Sequence, residues 1–510
     1  MQINVLEYLE KGALKKCPDK VAVKESGRGY TFAELERYAK NCATLLLKRT
    51  DTLNRPIAVY LPKNAATVVA DLGILYSGNC YANLDIKSPP ERLKAIIQNL
   101  DPRVIITSAA HVTALGAVGI AAERLFLIDE AMKPEVMYDN KALLQRIDLV
   151  LDTDPMCIIH TSGSTGIPKG VALNHRGTID FMDWAFDTLS LDGTEVIGSL
   201  SPFYFDIYTL ELYLTLAKGT TLVIVPENCA AFPAKLVEFM DAEKISFIFW
   251  VPTIMVNIAN QDLFVKWKLT SLKKVWFAGE VFPTKHLNYW RRHLPQTMFV
   301  NLYGPIETSV DCTYFIVDRD FGDDEKLPIG FPCRNTDILI LNDENKPAKV
   351  DEPGELCVRG SSLGLGYWNN PERTAKAFTQ NPLNPHYPEL IYRTGDSVYR
   401  NGRGEIMFIG RKDFQIKHMG YRIELGEIEH AVLQVDGIKN CCVVYNRDKK
   451  EITLFYESEK EVAPAQMREK LGAFLPKYML PTVFNHMPNM PRNPNGKIDR
   501  AKLAATVNPA

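Results

Sequence analysis

Apolar positions along the chain alternate between two periods. Residues 30–48, YTFAELERYAKNCATLLLK, place Leu35, Ala39, Ala43 and Leu46 on one face at helical spacing. Thr31, with Glu34 three residues later, has the spacing of a capping box. Ile57–Leu61 predicts a strand and Asn64–Ser77 an Ala-rich helix after it. Further buried strands are expected at Val104–Ile106, Leu125–Ile128 and Met156–His160. Thr221–Val225, Phe247–Trp250, Val275–Ala278 and Phe299–Tyr303 each read as a strand before a helix or turn. This alternation predicts an α/β protein with a large N-terminal domain of doubly wound layers. Past residue 330 the segments Asp337–Leu341, Gly354–Arg359 and Glu405–Ile409 are β-like and separated by Gly, Asn and Pro turns. They predict a mostly antiparallel, β-rich subdomain. After Arg411, residues 426–438 read as a helix, 441–446 as a strand and 465–481 as a second helix ending at prolines. The expectation is a small α+β C-terminal domain of about 100 residues.

A chain of 510 residues exceeds one hydrophobic core, and no repeat or low-complexity linker marks the joint between its parts. The formal charge of −2 gives no electrostatic case for nucleic acid or an anionic membrane. The first twenty residues carry acids inside their apolar pattern, unlike a signal peptide, and no later run has the length of a membrane span. Ten scattered cysteines form no CxxC and do not cluster with the nine histidines. Reduced thiols in a cytoplasmic protein are expected, with neither a disulfide framework nor a structural zinc.

One stretch carries chemistry of its own. Residues 156–171, MCIIHTSGSTGIPKGV, pass from an apolar run into Thr161, Ser162, Gly163, Ser164, Thr165, Gly166, Ile167, Pro168, Lys169 and Gly170. Three glycines and four hydroxyls in ten residues cannot pack a core, but they can wrap donors around an anion, with Lys169 adding charge. The spacing is not that of a Walker loop. Taken alone, the segment reads as an exposed turn.

It is not alone. YTFAEL (30–35), YANLDIKSPPERL (81–93), YGPIE (303–307), YRTGD (392–396), GRKDFQIKHMGYRIELGEIE (410–429), LPKYMLP (475–481) and NGKIDR (495–500) follow in order. From about residue 10 to 503 the set resembles the core motifs of adenylate-forming enzymes. Within them it is similar to the amino-acid-adenylation branch, that is, peptide-synthetase adenylation domains and the discrete D-alanine–carrier-protein ligases. AGEVFP (278–283) resembles the carrier-protein ligases less specifically.

The resemblance implies attack of an amino-acid carboxylate on the α-phosphorus of ATP, giving aminoacyl-AMP and pyrophosphate. The aminoacyl group then passes to the phosphopantetheine thiol of a discrete carrier protein in trans, because no carrier segment is visible in the chain. ATP and Mg²⁺ are the implied cofactors. Thr161, Ser162, Gly163, Ser164, Thr165, Gly166 and Lys169 would cradle the departing phosphates, and Glu307 would hold Mg²⁺. Tyr303 would face adenine, Asp396 would accept the ribose hydroxyls, and Arg411 would offer a donor fork to ribose or phosphate. Gly279, Glu280, Asn301, Gly304 and Thr308 fall on the nucleotide side by the same resemblance. Lys497 would bridge the substrate carboxylate and the α-phosphate. Asp413 would be the pivot of a hinge at 411–414 between domains 1–410 and 415–510. Its rotation would withdraw Lys497 and bring Gly420 to the site.

In SPFYFDIYTLEL (201–212), Asp206 matches the aspartate that pairs with the α-ammonium of an amino acid, which disfavours simple fatty acids. Ile207, Leu210, Phe249, Trp276, Ala278, Leu302, Val310 and Asp311 would surround the side chain. Two of these are large enough to shorten the cavity. Asp311 faces either a cationic or polar side chain or turns outward, so small and basic substrates both stay open. Ile306 departs from the usual YGPTE, removing a donor to the α-phosphate unless Thr308 supplies it. His160 stands where a tyrosine is common.

Three rivals remain open from the sequence. One is an acyl- or aryl-CoA ligase. Another is a non-catalytic nucleotide-binding scaffold, against which Lys497, Glu307 and Asp396 argue. The third is a serine hydrolase using the GxSxG match at Gly360–Gly364, whose downstream sequence is a poor helix start.

Overall fold

The structure is a computed structural model that describes residues 2–162, 168–412, 415–492 and 498–508. Two large mixed sheets dominate it. The first, of seven strands, runs in the order Gly366–Tyr367, Lys169–Asn174, Pro155–Thr161, Cys80–Asn83, Pro56–Tyr60, Ile105–Thr107, Leu125–Leu127. The second, of nine, runs Phe331–Pro332, Thr313–Ile316, Met298–Tyr303, Lys274–Phe277, Phe247–Trp250, Val196–Ser199, Thr221–Ile224, Val21–Glu25, Arg28–Thr31. The nine-stranded sheet is parallel at its centre and antiparallel at both edges, whereas the seven-stranded one is antiparallel at the Gly366–Tyr367 edge only. Val21–Glu25 pairs in parallel with Thr221–Ile224, with Val23 opposite Leu222.

The period-2 pattern of the strands assigns each residue to a layer. Phe247, Phe249 and Trp276 point into a core shared by both sheets, while Ile248, Trp250, Val275 and Phe277 point the other way. Between the sheets lie the helices Ala65–Tyr76 and Ile207–Lys218, the former buried at all but one position and the latter at all but its last. A helix apolar nearly all round has to sit in such an interior slot. Helices Pro233–Ala242, Pro252–Asn260 and Thr284–His293 cover the outer face of the nine-stranded sheet, and Pro90–Leu100 covers that of the seven-stranded one. The doubly wound expectation is met. The helix Phe32–Leu47 begins at the expected cap: Thr31 accepts from the Glu34 N–H, and Glu34 returns to the Thr31 N–H at 2.9 Å.

The β-rich region is a five-stranded antiparallel sheet built from Thr336–Leu341, Gly354–Gly360, Leu390–Arg400, Phe378–Gln380 and Ile406–Arg411. From Gln415 onward the chain forms a hairpin, Gln415–His418 with Tyr421–Glu424, and a three-stranded sheet packed on the helix Leu425–Leu433. Two expectations need correction. The helix expected over 465–481 covers only Pro464–Leu471, because Gly472 ends it and Pro476 fixes the following backbone in a non-helical path; Lys477–Met479 is a separate 3₁₀ turn. GSSLG is no nucleophile elbow either. It links two strands, Ser362 is buried with its hydroxyl 3.1 Å from that of Thr336, and the next helix starts only at Pro371. Among the described residues no helix is long and apolar enough to cross a membrane.

Candidate active site

Parallel strands that end on the same side leave a crevice at their carboxyl ends. Here Cys80–Asn83, Pro155–Thr161, Val196–Ser199, Lys274–Phe277 and Met298–Tyr303 run out into loops that line one cavity of about 160 Å³. Asn83, Thr161, Ser162, Asp206, Gly279 and Gly304 come from those strand ends; Asp396, Arg411, Gln415, Lys417, Tyr421 and Arg422 close it from the C-terminal side.

Asp396 and Arg411 lie opposite each other on paired strands, and the Arg411 guanidinium donates to the Asp396 carboxylate at 3.0 Å. The Tyr303 hydroxyl donates to the other carboxylate oxygen. Burial, and then the Asp396 charge, push the Tyr303 phenol well above its usual range, so it stays a donor. The Lys417 ammonium stands 5.7 Å from the centre of the Tyr303 ring, and burial lowers it. Asp206 caps the helix Ile207–Lys218 by accepting the Ile207 N–H at 3.0 Å, and burial pushes its carboxyl up to about 6. Asp311 is buried nearby; burial, then the Asp206 charge, raise it well above the carboxylate range. It follows Ser309 and Val310, both in the left-handed backbone region at φ 54° and 73°, a strained geometry for a β-branched valine. Gly304 is fixed by this crossing, since a Cβ there would fall 2.3 Å from the Asp311 Cα.

Glu307 is fully buried at the centre of an ion network. Its Oε1 accepts from the Tyr367 hydroxyl at 2.8 Å and lies 3.3 Å from the Lys169 ammonium; its Oε2 accepts from Arg422 at 2.8 Å. Burial alone would raise Glu307, but Arg422 and Lys169 together hold it well below the usual range. Lys169, lowered by burial to about 8, turns onto Glu307 and the Tyr367 ring and does not line the cavity. In this arrangement the carboxylate is already matched by two cations and a hydroxyl, so it does not fit a metal ion. Among the described residues no group of three His, Cys, Asp or Glu could hold one.

The remaining sites named from sequence are distributed unevenly. Ser162 lines the cavity and bonds the hairpin through the Arg422 carbonyl and the Glu424 N–H. Thr161 lines it with a buried hydroxyl that has no partner among the described residues. The glycine loop joins two antiparallel strands, with Thr161 opposite Lys169, so it does not open a helix. Glu280 accepts from the Thr253 N–H and hydroxyl and, at 2.8 Å, from the Gly420 N–H. Asn301 donates to the Pro328 carbonyl, and Thr308 to that of Pro305. Ile306 reaches the cavity whereas Thr308 does not. Ile207, Leu210, Phe249, Trp276, Ala278, Leu302 and Val310 are packed in the shared core behind the cavity wall, and Asp311 also stands outside its lining. Gly163, Ser164, Thr165, Gly166, Asp413 and Lys497 lie outside the described residues.

Sequence reasoning passed over Lys417, Tyr421 and Arg422. The signal was there: Gln-Ile-Lys-His and Tyr-Arg-Ile-Glu alternate polar and apolar around Met419-Gly420, both at positive φ, as a two-residue hairpin turn requires. Pairing then puts Gln415, Lys417, Arg422 and Glu424 on one face. Tyr421 stacks on Tyr478 at 3.6 Å and meets Phe205 edge-on at 5.2 Å, sealing the hairpin against the large sheets.

Known proteins share this fold. The family described as AMP-binding enzyme matches residues 9–368. Tyrocidine synthase 1 of Brevibacillus parabrevis is 31% identical over 489 residues, 95% of this chain and 43% of that protein. Zwittermicin A synthase ZmaJ of Bacillus cereus is 29% identical over 96% of this chain and 92% of its own length. The chain thus spans less than half of the first relative, and 11% of gramicidin S synthase 2 of Brevibacillus brevis. Among solved structures, the Vibrio cholerae adenylation domain AlmE, in complex with glycyl-adenosine-5′-phosphate, superposes with a TM-score of 0.82 at 22% identity, covering 98% of this chain and 97% of AlmE. With more than half its length matched to the family, with the same fold, and with a cavity at the carboxyl ends of its strands, this chain belongs to the AMP-binding enzyme family.

Proposed function

We propose that the protein activates the carboxylate of a small amino acid with ATP, releasing pyrophosphate, and passes the aminoacyl group to the phosphopantetheine thiol of a discrete carrier protein. The observation that carries this reading is the pair of carboxylates on one cavity. Asp206 offers a half-buried acceptor for an α-ammonium, and Asp396, already oriented by Arg411 and Tyr303, offers one for ribose hydroxyls. Holding both substrates against each other is most of what in-line phosphoryl chemistry asks of a protein. An uncharged acyl chain would leave Asp206 without a cation, which disfavours the acyl- or aryl-CoA ligase alternative. The short-side-chain reading follows from Phe249 and Trp276, fully buried and packed edge-on at 6.1 Å behind the cavity.

A domain pair 1–410 and 415–510 with a hinge at 411–414 belongs to the same proposal. Lys497 bridges carboxylate and α-phosphate in one orientation, and the seated hairpin, with Gly420 on Glu280, is the other. An adenylation–PCP fusion and an NRPS protein with adenylation and PCP domains among the structural neighbours support a carrier as acceptor. No step is assigned to Mg²⁺.

ATP–pyrophosphate exchange against a panel of D- and L-amino acids tests the reading, with alanine, glycine and serine beside arginine, ornithine and simple acyl acids. Exchange with a small amino acid is expected, and Lys497→Ala should lower it by on the order of 10²-fold. Exchange driven only by simple acyl acids would overturn the assignment.

A further inference from the structure

The hairpin that seals the cavity also decides what Glu307 can bind. A carboxylate has about four acceptor positions. On Glu307, Tyr367 and Lys169 occupy Oε1 and the Arg422 guanidinium occupies Oε2 at 2.8 Å. Arg422 is held in that pose from both sides. Its Nε donates to Gln415 at 2.7 Å, and Gln415 in turn donates to Glu424 at 2.6 Å. The backbone of the same strand is tied to Ser162, and the turn is tied to Glu280 through the Gly420 N–H. Seating the hairpin through these contacts therefore also sets a cation against Glu307. A divalent metal on Oε2 would stand beside a guanidinium and an ammonium in a buried site, where like charges are poorly screened.

We propose that Arg422 is the built-in counter-cation of Glu307, so that a divalent metal at Glu307 and the seated hairpin exclude one another. It rests on the adenylation reading only in assuming that metal arrives with the nucleotide. In the seated arrangement the Arg422 guanidinium is the cation that meets Glu307 Oε2. Linkage makes the exclusion reciprocal: metal unseats the hairpin, and a seated hairpin weakens metal binding by the same factor.

The test uses the full-length protein with Mn²⁺ alone, without ATP or amino acid. Free Mn²⁺ is read by its paramagnetic resonance signal, and amide hydrogen exchange is followed at Gly420 and Glu424. Arg422→Ala should bind Mn²⁺ about tenfold more tightly than the parent, a typical coupling between linked sites. Arg422→Lys, which keeps the charge, should stay near the parent and guards against a folding defect. Adding Glu307→Gln to Arg422→Ala should abolish the gain. In the parent, saturating Mn²⁺ should speed exchange at both amides. Equal Mn²⁺ affinity in the parent and Arg422→Ala, or Mn²⁺ binding that leaves the two amides as protected as before, would overturn the proposal. Failure of the adenylation reading would show instead as absent amino-acid-dependent pyrophosphate exchange, with the Mn²⁺ results standing.

Discussion

Asp206 works against the stability of its own fold. Its carboxyl rises from 3.8 to about 6 because burial disfavours the charge, so the folded state holds a proton that the unfolded chain has released. Stability therefore falls as pH rises from about 4 to about 6 and stays reduced above that. Asp206→Asn should make the empty protein more stable at pH 7.5, by up to about 3 kcal/mol, and no more stable near pH 4, which thermal melts at the two pH values would show. The same substitution should weaken amino-acid binding by about tenfold or more, since a charge-assisted hydrogen bond is lost. In the parent, KM for the amino acid should climb as pH drops through about 6, where Asp206 takes up its proton. Phe249→Ala should open the wall behind Asp206 and let larger apolar side chains compete, at a cost of about 3–5 kcal/mol for an emptied core site. Exchange assays with phenylalanine and leucine, beside a denaturant melt, would check both halves.

At the scale of elements, local chemistry and long-range fit are separable. Thr31→Ala removes a cap whose geometry is wholly local and should cost about 1 kcal/mol in a melt without changing activity. Gly304→Ala instead drives a Cβ into the Asp311 backbone and should cost about 1–3 kcal/mol or more together with most of the activity. The sequence shows the first kind of feature plainly: the capping box, the strands around Phe247–Trp250 and Met298–Tyr303, and the Ala-rich helix after Asn64 are all legible from period and cap. It also names the cavity-lining Asp206, Asp396 and Arg411, through ordered motifs. What it hides depends on distant partners. That Lys169 turns onto Glu307, and that Phe249 and Trp276 pack edge-on in the shared core, are facts about neighbours far away in the chain. Local pattern likewise extended the helix after Pro464 through Gly472, where turn chemistry ended it.

For the whole molecule, the C-terminal part is held over the cavity by contacts from several of its elements. Arg92 bonds the buried Glu427, Phe205 meets Tyr421 edge-on, Gly420 docks on Glu280, and Arg422 pairs with Glu307. Arg92→Ala should loosen this orientation, leaving adenylation near its parent rate and slowing aminoacyl transfer by about tenfold, since an ion pair with a buried member is broken. Asp413→Pro should stiffen the proposed hinge and likewise spare the first half-reaction while blocking the second; radiolabelled transfer to a carrier protein, beside pyrophosphate exchange, separates the two. The nine-stranded sheet has a different consequence, in time. Its strand Val21–Glu25 sits between Arg28–Thr31 and Thr221–Ile224, so the N-terminal hairpin has no parallel partner until a segment nearly 200 residues downstream has been made. At synthesis rates of about 5–20 residues per second, that leaves an unpaired β edge on the nascent chain for about 10–40 s. Ribosome-bound chains halted before residue 221 should accordingly recruit holding chaperones at the hairpin, and chains halted well past 224 should release them.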